Sequence, residues 1–162
     1  MSSPDTKWLD DAEAAAWTQL ISTTMWLPSA LDAQLQRDAG ISHVEYGVLS
    51  ALSTAENRTM RLSELGRIAN STLSRLSKVV NRLSDQGWVN RRPDPEDGRS
   101  TLATLTDEGL EKVVATAPSH VGRVRELVFD QLTRAEIKQL GVIFAKISAA
   151  VGPEGACAQK VK

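Results

Sequence analysis

The chain has 162 residues, 41% of them hydrophobic, and a formal net charge of -1, which suits one domain with a substantial core or a smaller domain with helical extensions. Its single cysteine, Cys157, excludes an intrachain disulfide and any cysteine-based metal cluster. The first residues lack the basic and apolar regions of a leader, and no apolar run approaches a membrane span, so a soluble cytoplasmic protein without membrane association is expected.

The spacing of Trp17, Leu20, Ile21, Thr24, Leu31 and Leu35 predicts a first helix from about Asp10 to Arg37, stopped by Gly40. Pro28 predicts a kink or break within it, because its ring removes a backbone donor. Ser42-His43-Val44-Glu45 has the form of a capping box and opens a second helix through about Ser53, with Val44, Val48, Leu49 and Leu52 on its apolar side. A third, shorter helix starts near Leu62 or Ser63 and turns Leu65, Ile68 and Ala69 inward. Asn70 and Ser71 make a tight turn, and Thr72 caps a fourth helix running to Leu83. Two short helices joined in this way form a helix-turn-helix.

The fourth helix has two unlike faces. Leu73, Leu76, Val79, Val80 and Leu83 form an apolar stripe, while Ser74, Ser77, Lys78, Asn81 and Arg82 form a polar one with two cations and no acid. A merely solvated face usually mixes charge signs; short hydrogen-bonding groups with cations suit the DNA major groove. From Arg58 to Arg99 there are nine Lys/Arg against five Asp/Glu, whereas the rest of the chain holds ten against fifteen. A polyanion is therefore attracted to this stretch and repelled elsewhere.

Gly87 ends the fourth helix, and residues 88–92 and 100–105 read as two strands. Between them Pro93-Asp94-Pro95-Glu96-Asp97-Gly98-Arg99 is rich in turn residues, so a hairpin follows the helix as a wing would. Thr106 caps a long helix to about Asp130, with Leu110, Val113, Val114, Ala117, Val121, Val124, Leu127 and Val128 on its apolar side and a bend at Pro118. Thr133-Arg134-Ala135-Glu136 is a second capping box, opening a last helix with Ile137, Leu140, Ile143, Phe144, Ile147 and Val151 on one side. Residues 152–162 read as a flexible tail.

Four features together resemble the multiple-antibiotic-resistance regulator (MarR) family of winged helix-turn-helix repressors. They are Leu62-Ser63-Glu64-Leu65, the segment ending Val80-Asn81-Arg82-Leu83, the Gly87-Trp88-Val89 step, and Asp97-Gly98-Arg99-Ser100 followed by Leu105-Thr106. The resemblance covers roughly residues 17–151. It implies a mainly α fold with a small β-hairpin wing: a helix-turn-helix lobe over residues 41–106, between dimerisation helices at residues 8–40 and 107–151. It also implies a homodimer that reads a pseudo-palindromic site on double-stranded DNA. The first and last helices carry more apolar surface than such a lobe alone could bury, which agrees.

Residue roles follow from the same resemblance. Ser77 and Lys78 stand where the family commonly has a hydroxyl residue followed by arginine, and are expected at base edges. Ser74, Arg75, Asn81 and Arg82 are expected at bases or phosphates, and Arg91 and Arg92 at phosphates. Arg99 matches the wing arginine that enters the minor groove, and Asp97 the acid that positions it through a hydrogen-bonded pair. Arg61 departs from the family, many members placing a capping hydroxyl there. Lys78 lacks arginine's bidentate fork, which weakens guanine readout.

A small apolar or phenolic effector in a cleft between dimer helices and DNA lobe would release the repressor. Trp17, Trp26, His43 and His120 are its candidate lining, although packing alone accounts for the tryptophans more simply and a helix-start position for His43. The alternative function is a winged helix used for protein contacts without reading DNA, against which the basic hairpin argues. Two distant histidines, a tail cysteine and no phosphate-binding glycine loop offer no catalytic constellation, no cofactor and no metal site.

Overall fold

The structure is a computed structural model that describes residues 6–151. Helix α1 (Asp11–Ala39) is followed by α2 (His43–Thr54), a one-turn 3₁₀ segment (Glu56–Arg58), strand β1 (Thr59–Arg61), α3 (Leu62–Ile68) and α4 (Leu73–Asp85). Strands β2 (Val89–Pro93) and β3 (Thr101–Leu105), helix α5 (Asp107–Leu127), a second 3₁₀ turn (Phe129–Gln131) and α6 (Arg134–Val151) complete it. Cys157 and the tail from residue 152 lie outside the described residues.

Local chemistry fixes most of these boundaries. Asp10 and Glu13 form a reciprocal capping box at α1, Ser42 and Glu45 another at α2, and Thr133 and Glu136 exchange the same pair of bonds before α6. The Asp10 box was missed in the sequence because its flanks carry little apolar periodicity. Pro28 lies inside α1, yet the helix runs through it without a break. Pro118 likewise sits within a continuous α5, which ends at Leu127 before the 3₁₀ turn.

The hairpin is present, with Val89 opposite Leu105 and Pro93 opposite Thr101. It is joined by β1, a strand too short to show an alternating pattern in sequence. All pairings are antiparallel in the order β1-β3-β2, and Thr59 faces Thr104 across the sheet.

The core lies between α2, α3, α4, the sheet and the start of α5. Leu49, Leu52, Leu65, Leu76, Val80, Leu83, Val89 and Ala103 are essentially closed to solvent. Gly87, at φ 78°, reverses the chain after α4, and Trp88 N–H returns to the Leu83 carbonyl at 3.0 Å. Thr106 then joins α4 to α5: its hydroxyl donates to the Gly87 carbonyl at 2.8 Å and accepts from Gly109 N–H at 3.0 Å. Lys112 holds the C-terminal end of α1 against α5 by donating to the Ala39 carbonyl at 2.7 Å.

Several apolar positions do not face this core. Leu73, Ile68 and Ala69 are exposed, as are Val114 and Val121 on α5. Helical period places them on a stripe, but a stripe wider than the lobe leaves its margins in solvent. Helix α6 buries none of its side chains, and α1 buries only Leu31, Gln34 and Leu35, all near its C-terminal end.

Candidate nucleic-acid interface

The surface of interest is built by α4 and the wing. Thr72 caps α4 by accepting from Arg75 N–H at 3.3 Å. The turn before it is closed by Ser71 N–H on the Gly66 carbonyl at 2.9 Å, with Asn70 at φ 44°. Burial of Leu76, Val79, Val80 and Leu83 turns Ser74, Arg75, Lys78, Asn81 and Arg82 outward. Ser77 is half-buried and borders a groove of about 170 Å³ between α4 and the wing, together with Arg91, Arg99 and Ser100. Arg91 and Arg92, adjacent on β2, project to opposite faces, and both are exposed.

Asp97 bonds to Arg99 through the arginine's backbone. One carboxylate oxygen accepts from the backbone N–H of Arg99 at 3.1 Å and the other from the Ser100 hydroxyl at 2.8 Å. The acid thus fixes the turn that carries Arg99 and leaves the guanidinium free. Arg82 is partly reassigned. Its Nη1 lies 3.3 Å from Oε1 of Glu45, whose other oxygen caps α2. Among the described residues, Arg75, Lys78, Arg91, Arg92 and Arg99 make no ion pair. Five cations around one helix and one hairpin are thereby available to an external anion.

Arg61 is the residue that sequence reasoning undervalued. Its Nε donates to Oδ2 of Asp94 at 2.7 Å. Hydrogen bonding from Glu96 N–H and the adjacent Arg61 guanidinium hold the Asp94 carboxyl below its ordinary value, and Asp94 in turn raises Arg61. The Arg61-Leu62 step carried no local signal for this, because the partner is 33 positions away.

The four residues suggested for an effector separate into two groups. Trp17 and Trp26 are 54% and 75% exposed on α1, so neither packs in the core of this chain. His43 and His120 converge, with ring centroids 6.2 Å apart, where α1, α2 and α5 meet. Tyr46 stands 4.6 Å from His120, and the Gln34 side-chain oxygen is 3.1 Å from His120 Nδ1. Gln34 also donates to Asp38 at 2.9 Å. Burial, then the nearby His43, push the His120 imidazole below its ordinary value. His43 Nδ1 is buried without a hydrogen-bond partner. Gln34 and Tyr46 were not anticipated; the one available signal was an amide between Leu31 and Leu35 on an inward stripe. His43 also borders an apolar groove of about 260 Å³ between α2 and α3, lined by Val44, Ala51, Leu65 and Ile68.

Comparison with known proteins bears on this surface. The MarR family model matches residues 39–100, the stretch from the end of α1 into the wing. The chain is similar to Sco3205, a MarR family transcriptional regulator from Streptomyces coelicolor solved in complex with DNA. The TM-score is 0.85 at 44% identity, over 91% of this chain and 96% of that one. It is 28% identical over 112 residues to the HTH-type transcriptional repressor YetL of Bacillus subtilis, 67% of each chain. It is 34% identical over 88 residues to the HTH-type transcriptional repressor IacR of Pseudomonas putida, 52% of this chain and 50% of that one. The chain therefore spans about two thirds of YetL and half of IacR. No helix among the described residues is long and apolar enough to cross a membrane.

Proposed function

The chain belongs to the MarR family of transcriptional regulators, which are not enzymes, and from that premise we propose that it is a dimeric repressor reading a pseudo-palindromic operator. The observation that carries this reading is the set of unpaired cations on α4 and the wing, set beside the hydrogen-bonding groups Ser74, Ser77 and Asn81. Lys78 and Ser77 read base edges, Arg99 enters the minor groove, and Arg75, Arg91 and Arg92 hold phosphates.

Dimerisation is supported by the apolar side chains left in solvent on the flanking helices. Trp17, Ile21, Met25 and Trp26 on α1, and Val142, Ile143 and Phe144 on α6, are all more than a third exposed. A second copy covering them would place two lobes on half-sites about one helical turn apart. A small apolar or phenolic effector acts in the cleft between the dimer helices and the DNA lobe, where His43 and His120 converge, and its occupation shifts one against the other.

Footprinting on the DNA upstream of the protein's own gene, with light scattering on the same sample, tests this reading. Two symmetric protected blocks bound by a dimer are expected. Uniform protection, or a monomer at working concentration, contradicts it.

A further inference from the structure

The outer turn of the wing has no apolar anchor. From Pro95 to Arg99 every side chain is exposed, so its position depends on polar contacts. Asp97 closes the turn on itself through Arg99 and Ser100, while the contacts that tie the turn to the rest of the lobe converge on Asp94, whose side chain is 4% exposed. One Asp94 oxygen takes Arg61 Nε at 2.7 Å, the other takes Glu96 N–H at 2.9 Å, and Asp94 N–H donates to the Ser100 carbonyl at 2.9 Å. A second Arg61 nitrogen lies 3.5 Å from the Glu96 carboxylate. Arg61 itself stands at the end of β1 and the start of α3, within the rigid lobe.

We propose that Arg61 is a positioning residue for DNA binding: by gripping Asp94 and Glu96 it fixes the wing so that Arg99 stands beside Ser77 at the groove. The inference rests on the DNA-binding reading above. Two physical effects follow from the grip. A wing already held in place binds without the cost of ordering a free loop. The guanidinium also offsets one of the two negative charges that Asp94 and Glu96 place on a hairpin that must approach phosphates.

Asp94→Asn gives the sharpest test, because it removes a negative charge while keeping size and shape. Electrostatics alone predicts tighter operator binding; loss of the clamp predicts weaker binding. We expect Asp94→Asn and Arg61→Met each to weaken binding by about tenfold, the scale of freeing one or two ordered side chains. Adding Arg99→Ala to Arg61→Met should cost no more than about twofold beyond Arg99→Ala alone, because both changes disable one element. Tighter binding by Asp94→Asn, or fully additive losses, overturns the proposal. Hydrogen exchange on the free protein reads the clamp without DNA. Asp94 and Ser100 amides should lose protection in either variant while Val79 and Val80 keep theirs, and unchanged wing protection also overturns it. Failure of the wild-type chain to bind its operator would instead count against the DNA-binding reading, with the exchange result still deciding the clamp.

Discussion

Arg82 Nη1 lies 3.3 Å from Oε1 of Glu45, tying the last cation of α4 to the N-terminus of α2. Glu45 is 5% exposed and also accepts the Ser42 N–H, so one carboxylate holds a helix cap and a helix–helix contact together. The pairing makes Arg82 part of the scaffold that aims α4, and under the proposed function base reading falls to Ser77 and Lys78. Arg82→Ala is accordingly expected to lower stability by about 1 kcal/mol, since the arginine is partly solvated while its partner is not. Urea denaturation measures that cost. Operator titration at fixed salt should show a smaller loss for Arg82→Ala than for Lys78→Ala, and the reverse order would return Arg82 to the DNA.

Gly109 predicts a larger effect from a smaller change. A Cβ there would overlap the Trp88 carbonyl oxygen and lie 2.7 Å from Leu105 Cδ1. That carbonyl already accepts Thr106 N–H at 3.0 Å, at the point where α5 leaves the wing sheet. Gly109→Ala should therefore destabilise the lobe by about 1–3 kcal/mol through overpacking, although alanine is the better helix former. A thermal melt that rises on this substitution would contradict the packing described for the start of α5.

The His43–His120 contact predicts a pH dependence of stability. Burial and the neighbouring His43 hold the folded His120 below its ordinary value of 6.5, so the unfolded chain takes up the proton first as pH falls. Facing it are His43 and Tyr46 from α2, and Gln34, itself bonded to Asp38, from α1. Its contribution is complete above the ordinary histidine value and declines as pH drops through the interval down to the folded one. Urea midpoints should fall on acidification across that interval, and His120→Gln should flatten the decline. An equal decline in the variant would place the effect elsewhere.

The sequence carried most of the scaffold because its punctuation is local. Ser42 with Glu45, Thr133 with Glu136, Thr72, and glycines 40 and 87 each act within a few residues of the boundary they set. What it could not carry is non-local or marginal. Strand β1 spans three residues and has no period to detect, and the Arg61–Asp94 grip joins positions far apart in the chain. Periodicity also put Leu73 and Ile68 on inward stripes, although the turn between α3 and α4 leaves both in solvent. At the candidate site the motif pairs Asp97 with Arg99 without saying which atoms bond, and the acid accepts from the arginine's backbone. Motif spacing specifies which residues meet, and backbone geometry decides which atoms do.

If α4 and the wing grip DNA through Lys78 and Arg99, fluorescence anisotropy on the native upstream DNA, titrated with salt, will show it. Sequence-selective binding is expected, its logarithm falling steeply with the logarithm of salt concentration. Arg99→Ala should reduce that slope by about one, and Lys78→Ala should cost about 1–3 kcal/mol and relax base preference. Binding that ignores sequence, or that survives both substitutions together, would contradict it.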